Sequence, residues 1–454
     1  MKVADIRGLS LNRATQDAAD AFDQILDDLY HYRLKVPDAV DGLISSHPGF
    51  LLAHVLKGYM VMTEAMKSKI ALASEHLDKA TALSKDASRR EKLHIEALRC
   101  WIKGDLGKRF DAWESILSEW PHDLLAYRQL TGNLFWAGDK RRQLNAAAQL
   151  VGHWKEGTPG YGLFIGPLAF AMEEMGQYET AEKYARTALE INSSDLWSLH
   201  ALAHVLEMQG RVREGDDTLT AASGVLNNYN LFRGHLWWHL GLFRFAQGKF
   251  QEVLDLIDNE IYPSSSSFYL DVQNGASMLA RLEFQGVDVG DRWRRLAEAS
   301  LHSATEHTIW FTGPHHAMNL AHTGKTNELT KMIQELRNDA KNGSHQAWLA
   351  AEISIAVQDY HRGDYQSVLT RMMPMRYEQA SLGASHAQQD VFYQYLVMAA
   401  LNVGKLELVR TLLKERISVR VRNESEWQNY RMLAERIDNI YNASDVAMSL
   451  RHGL

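Results

Sequence analysis

Nine glycines stand in phase along most of this chain, and they constrain its fold more than any other feature. They are Gly104, Gly138, Gly176, Gly210, Gly248, Gly286, Gly324, Gly363 and Gly404, at successive gaps of 34, 38, 34, 38, 38, 38, 39 and 41 residues. Between them, apolar residues recur at three- and four-residue spacing, as in Leu279 to Phe284 and Ala350 to Tyr360, which is the period of a helix lying on a core. A glycine that recurs every 34 to 41 residues between such stretches marks the turn of a repeated helical hairpin. A hairpin with apolar residues on two faces cannot bury both alone, so the units must stack.

The clearest unit, Gly166 to Asp195, has Gly176-Gln177-Tyr178 followed by Ala181, Ala188-Leu189 and Ile191. That order matches the tetratricopeptide repeat (TPR), in which small residues sit where two antiparallel helices cross closely. Trp237, Leu240 and Gly241 supply the W-x2-L-G element, and Pro121 falls at the terminal proline position of its repeat. The expected fold is all-α, a TPR-type α-α superhelix of roughly nine to eleven helical hairpins. Residues 1–49 are expected to form N-terminal capping helices, with Arg13 to Tyr32 the best stretch, and residues 50–454 one continuous solenoid. Pro263 and the four serines after it read as a connector rather than a domain linker.

Composition narrows the function classes. A formal charge of −7 over 454 residues makes no basic field, so nucleic acid is not an expected partner. No apolar run approaches the ~18–20 residues a membrane span needs, and Met1 to Arg13 lacks an apolar signal core. The single cysteine, Cys100, excludes an intrachain disulfide and fits a reducing, cytoplasmic setting. It reads as a buried, inert thiol. A homo-oligomer is a possible assembly, and the sequence does not give the oligomeric state.

Chemistry concentrates in the histidines. His200, His204 and Glu207 are spaced i, i+4 and i+7, on one face of the helix that ends at Gly210. In the next repeat His235 and His239 are again four apart, with Trp238 between them. Asp271 and Asn274 open the following first helix, and His315 and His316 the one after. Four consecutive first helices thus carry polar groups toward the inner surface. Three readings compete. The histidines fix the core by hydrogen bonding, and the chain is then a scaffold for protein–protein interaction; or neutral imidazoles, Glu207 and Trp238 hold a small polar ligand or peptide; or the cluster is a metal or acid–base site. For the last, the catalytic candidates are His204, His239 and Glu207. An H-x-x-x-H pair converges on one divalent ion, although the glutamate that zinc proteases carry directly after the first histidine is absent here. Asp288 and Asp291 read as caps at a helix start, and Gly286-x3-Gly290, with no strand before it, is no phosphate loop.

Three blocks resemble the tetratricopeptide repeat protein 38 family: Trp197 to Met208, His235-Leu236-Trp237-Trp238-His239, and Gly286 to Trp293. The likeness runs from near Pro48 past Gly324 and more weakly to the end. It implies a curved TPR-like body and a common interior cluster of His200, His204, Glu207, His235, Trp238, His239, Asp271 and His315, but names no reaction. This chain departs from the family pattern in having Leu236 for an asparagine, Asn274 for an aspartate, and Phe311-Thr312-Gly313-Pro314-His315 for a Phe-Asn-Asp-x-His stretch. Two carboxylates are thereby missing, which favours a ligand site over a reaction that needs them.

Overall fold

In the computed structural model the described residues are 3–226 and 232–418. They form twenty-two α-helices and no strand, only an isolated bridge between Ala4 and Ser10. The helices pair into eleven hairpins. The first six are α1 (Gln16–Tyr30) with α2 (Val36–Ser46), α3 (Leu51–Thr63) with α4 (Ile70–Ala82), α5 (Arg89–Ile102) with α6 (Leu106–Glu119), α7 (Leu124–Trp136) with α8 (Lys140–Ala148), α9 (Tyr161–Glu174) with α10 (Tyr178–Ile191), and α11 (Leu196–Met208) with α12 (Val212–Leu226). The other five are α13 (Phe232–Ala246) with α14 (Phe250–Leu256), α15 (Tyr269–Phe284) with α16 (Arg292–Ser303), α17 (Thr312–His322) with α18 (Thr326–Lys341), α19 (His345–His361) with α20 (Tyr365–Met375), and α21 (His386–Asn402) with α22 (Leu406–Ser418).

The nine phased glycines all follow the first helix of a hairpin, and all have φ between 64° and 79°. After each, the next residue donates its N–H to the carbonyl five positions back, as Asp105 does to Cys100 and Lys325 to Leu320. This is the Schellman closure, which a left-handed residue permits and which satisfies the orphan carbonyls of the helix end. The first two hairpins turn without glycine, through Tyr32 (φ 58°) and Ala65 (φ 55°). At the start of α16, Asp291 occupies the cap position without a side-chain bond, while Asp288 instead accepts from the Gly290 N–H at 2.8 Å. Capping therefore explains Asp291 by place only.

The chain divides into two compact units, with the division inside α11 between Leu202 and Ala203. In the first unit the N-terminal segment is pinned to first helices. Asp23 of α1 accepts from the Ile6 N–H and from Arg7, Glu91 of α5 accepts from the Asn12 N–H, and Arg90 donates to the Ser10 carbonyl. Behind them Asp123 accepts from Arg90 at 2.6 Å and from His94 at 3.0 Å. Burial raises the pKa of this carboxyl, but His94 and Arg90 outweigh it and hold it well below the usual range. Cys100 is buried, and that burial pushes its thiol up to about 11, away from reactivity.

In the second unit the first helices meet one another. α15 packs on α13 and α17, α17 on α19, α19 on α21, and α21 returns to α15. The return contact is polar at its centre: Arg281 donates to the Ala387 carbonyl at 2.7 Å, and Gln388 donates to Gln273, which itself donates to Thr312. Phe284 against Tyr395 and Phe311 against Phe392 fill the space around these bonds.

Candidate functional site

α13 and the part of α11 that belongs to the second unit supply a compact histidine group. The i, i+4 spacing on α13 places His235 and His239 on one face, with ring centroids 4.8 Å apart. His204 of α11 meets His239 edge to face at 4.5 Å. One ring nitrogen from each of the three lies within 4.8 Å of the others. All three rings are buried. The Nδ1 of His235 faces the Asn274 Oδ1 of α15 at 2.9 Å. An amide oxygen only accepts, so Nδ1 carries the proton and the lone pair sits on Nε2. Burial, with His239 next, drives the His235 pKa well below its ordinary value, so the ring is neutral. Trp238 lies flat on His235 at 5.1 Å and donates to Ser277 at 3.0 Å.

Glu207 approaches from one turn beyond His204, its Oε2 3.6 Å from the His239 Nδ1. The same carboxylate lines a cleft of about 90 Å³. Arg281, Asp390 and Arg416 are its other charged walls, and Phe243, Phe284 and Met398 are among its apolar ones. Arg416 pairs with Asp390, and Arg281 lies 3.9 Å from the same carboxylate. Arg281 is only 2% exposed, with its guanidinium over the Trp238 ring at 5.6 Å.

Of the residues read from the sequence, the second unit brings together His204, Glu207, His235, Trp238 and His239. Trp238 lies beneath His235 and is not on the cleft wall. His200, one turn before His204, is buried in the first unit against Phe170 and Trp197. Asp271 sits at the start of α15, 3.5 Å from where a side chain at Gly234 would begin. Burial raises its pKa to about 7, against lowering by Ser266 and Arg233.

His315 takes no part in that group. Its Nδ1 donates to the Phe311 carbonyl at 3.0 Å and its ring meets Phe392. His316 joins a chain that begins at His307, a residue sequence reading did not single out. Because the Ser267 carbonyl only accepts, the His307 Nε2–H donates to it at 2.9 Å. A neutral His307 then accepts at Nδ1 from the His316 Nε2–H at 2.9 Å, and His316 accepts at Nδ1 from the Ser300 hydroxyl at 2.8 Å. Asn319 donates to that hydroxyl and closes the chain. Burial lowers His307 to about 4 and His315 to about 3, which keeps both neutral. These histidines are hydrogen-bonded within the core.

Arg281, Asp390 and Arg416 were also missed. They come from α15, α21 and α22, and no local spacing links them.

No family model matches the chain. Among solved structures it is similar to a tetratricopeptide repeat protein from Parabacteroides merdae ATCC 43184, at 14% identity over 60% of this chain and 98% of that one, with a TM-score of 0.40. It is also similar to human IFIT1 in a dimer with m7Gppp-AAAA, at 12% identity over 97% and 96% of the two chains, again at 0.40. A third is Naa15/Naa10 bound to HypK-THB, at 12% identity over 96% of this chain and 68% of that one, at 0.26. The first of these is described as a tetratricopeptide repeat protein, and at these scores no ligand or partner carries across. No described helix is long and apolar enough to cross a membrane.

Proposed function

We propose that this is a ligand-binding helical-repeat protein, of the tetratricopeptide repeat protein 38 type, that captures a small polar guest in the cleft at Glu207. The cleft itself carries the reading: buried and half-buried charges of both signs, Glu207 and Asp390 against Arg281 and Arg416, face one small space with aromatic walls. Such sites combine an apolar lining with a few placed polar groups. A guest with an anionic group and a donor suits two guanidinium and two carboxylate groups. The volume of about 90 Å³ favours a metabolite or the head of a larger molecule. The packing of α21 on α15 supports a small guest over an extended peptide, because those inner helices cover each other.

Acid–base chemistry at His239 is the second reading, favoured by Glu207 beside its Nδ1. At 3.6 Å that approach is an ion-pair distance and longer than the hydrogen bond an orienting carboxylate makes. Binding is therefore the stronger reading. Thermal-shift screening of the full chain with small amino acids, hydroxy acids and phosphates tests it. A stabilising compound should lose its effect in Ala246→Phe, which fills the cleft, and in Glu207→Gln. A compound that stabilises wild type and Ala246→Phe alike would move the site elsewhere.

A further inference from the structure

The geometry points to a divalent-metal site formed by His204, His235 and His239, with Glu207 and Asn274 as its outer partners. It is a separate feature from the cleft reading, although the two share Glu207.

The argument starts from convergence. Three imidazoles from two helices each place one ring nitrogen within 4.8 Å of the others. A tetrahedral zinc with bonds of about 2.0–2.1 Å holds its nitrogens about 3.3–3.4 Å apart. Binding therefore requires the rings to rotate inward on the ion.

The tautomers agree. His235 donates Nδ1–H to Asn274, which leaves Nε2 as the ligating atom and uses the amide as the group that fixes ring orientation. On His239 the Glu207 Oε2 lies 3.6 Å from Nδ1, and it would have to close on that atom to orient the ring as a carboxylate behind a metal-bound histidine does. Burial keeps His235 neutral, the form a metal takes. The second histidine group makes the contrast. His307 and His316 run in line from the Ser267 carbonyl to Ser300, as a structural relay does. The first group instead gathers three rings around a point.

Three imidazole ligands suit zinc and its neighbours among first-row divalent ions, and disfavour magnesium and calcium, which want oxygen. The cleft runs alongside on the same helix. Leu242 and Ala246, one and two turns beyond His239 on α13, line it, as does Glu207.

The test uses the full chain, untagged, stripped with chelator and titrated with zinc and cobalt(II). One equivalent of either ion per chain is expected, and the bound cobalt should show the intense visible bands of a four-coordinate nitrogen site. His204→Asn and His239→Asn should each lower affinity at least a hundredfold while keeping the helical circular-dichroism spectrum. Wild-type protein that binds neither ion at up to millimolar concentration overturns the proposal, whatever the variants do. So does a folded His204→Asn variant that retains its full equivalent. Ala246→Phe separates the two readings, because filling the cleft should abolish guest binding and leave cobalt binding intact. Metal without any guest would sink the cleft reading alone.

Discussion

At Asp271 the cost of burial is legible in one carboxyl. Its folded pKa of about 7 lies above the unfolded value, so the folded state binds the extra proton between about pH 4 and 7. Stability from that protonation is complete below the unfolded pKa and lost as pH rises through 7, with a ceiling of about 4 kcal/mol. Asp271→Asn removes the titration. It should raise the melting temperature at pH 8, with a gain that shrinks steadily toward pH 4. A gain of equal size at both ends would show that residue 271 does not titrate near neutrality. At this scale the sequence was informative where one helix carries the pattern: His235 and His239, or His204 and Glu207, share a face by spacing alone. It was silent on Asn274 as a hydrogen-bond acceptor for His235 and on Arg281, Asp390 and Arg416, because those partners meet through packing between hairpins. His315 and His316 show the limit from the other side. Adjacent residues on a helix point apart, and each found a different neighbour.

The helical hairpin is the element that repeats, and its turn explains why so much of the fold could be read in advance. Nine glycines mark nine turns because the left-handed conformation at that point penalises any side chain by about 1–2 kcal/mol. The two earliest turns use Tyr32 and Ala65, so their hairpins left no comparable mark in the sequence. Gly324 isolates the backbone term. Its φ is 69°, and a methyl group there would meet nothing within 4 Å. Gly324→Ala should therefore cost about 1–2 kcal/mol in urea unfolding with an unchanged m-value. A neutral result would mean that the turn relaxes, and that the Lys325-to-Leu320 bond is not what holds it.

For the whole chain, repeat composition suggests a quasi-one-dimensional material in which each hairpin answers only to its neighbours. The second unit departs from that rule, since α21 closes back on α15. Amide hydrogen exchange should find α15, α17, α19 and α21 opening with one shared free energy. Protection that instead declines hairpin by hairpin from α22 backwards would mean that the closing contact adds little. No sequence pattern announced the closure, because curvature accumulates from small offsets at each packed interface. The same contact bears on how such a chain can change over generations. An open stack gains or loses a unit by duplication or deletion with its neighbours undisturbed. Here the Arg281 guanidinium must find the Ala387 carbonyl across 106 residues. One hairpin more or fewer between them would carry α21 past its seat, so copy number within this stretch is set by a single pairing and not by the repeat itself.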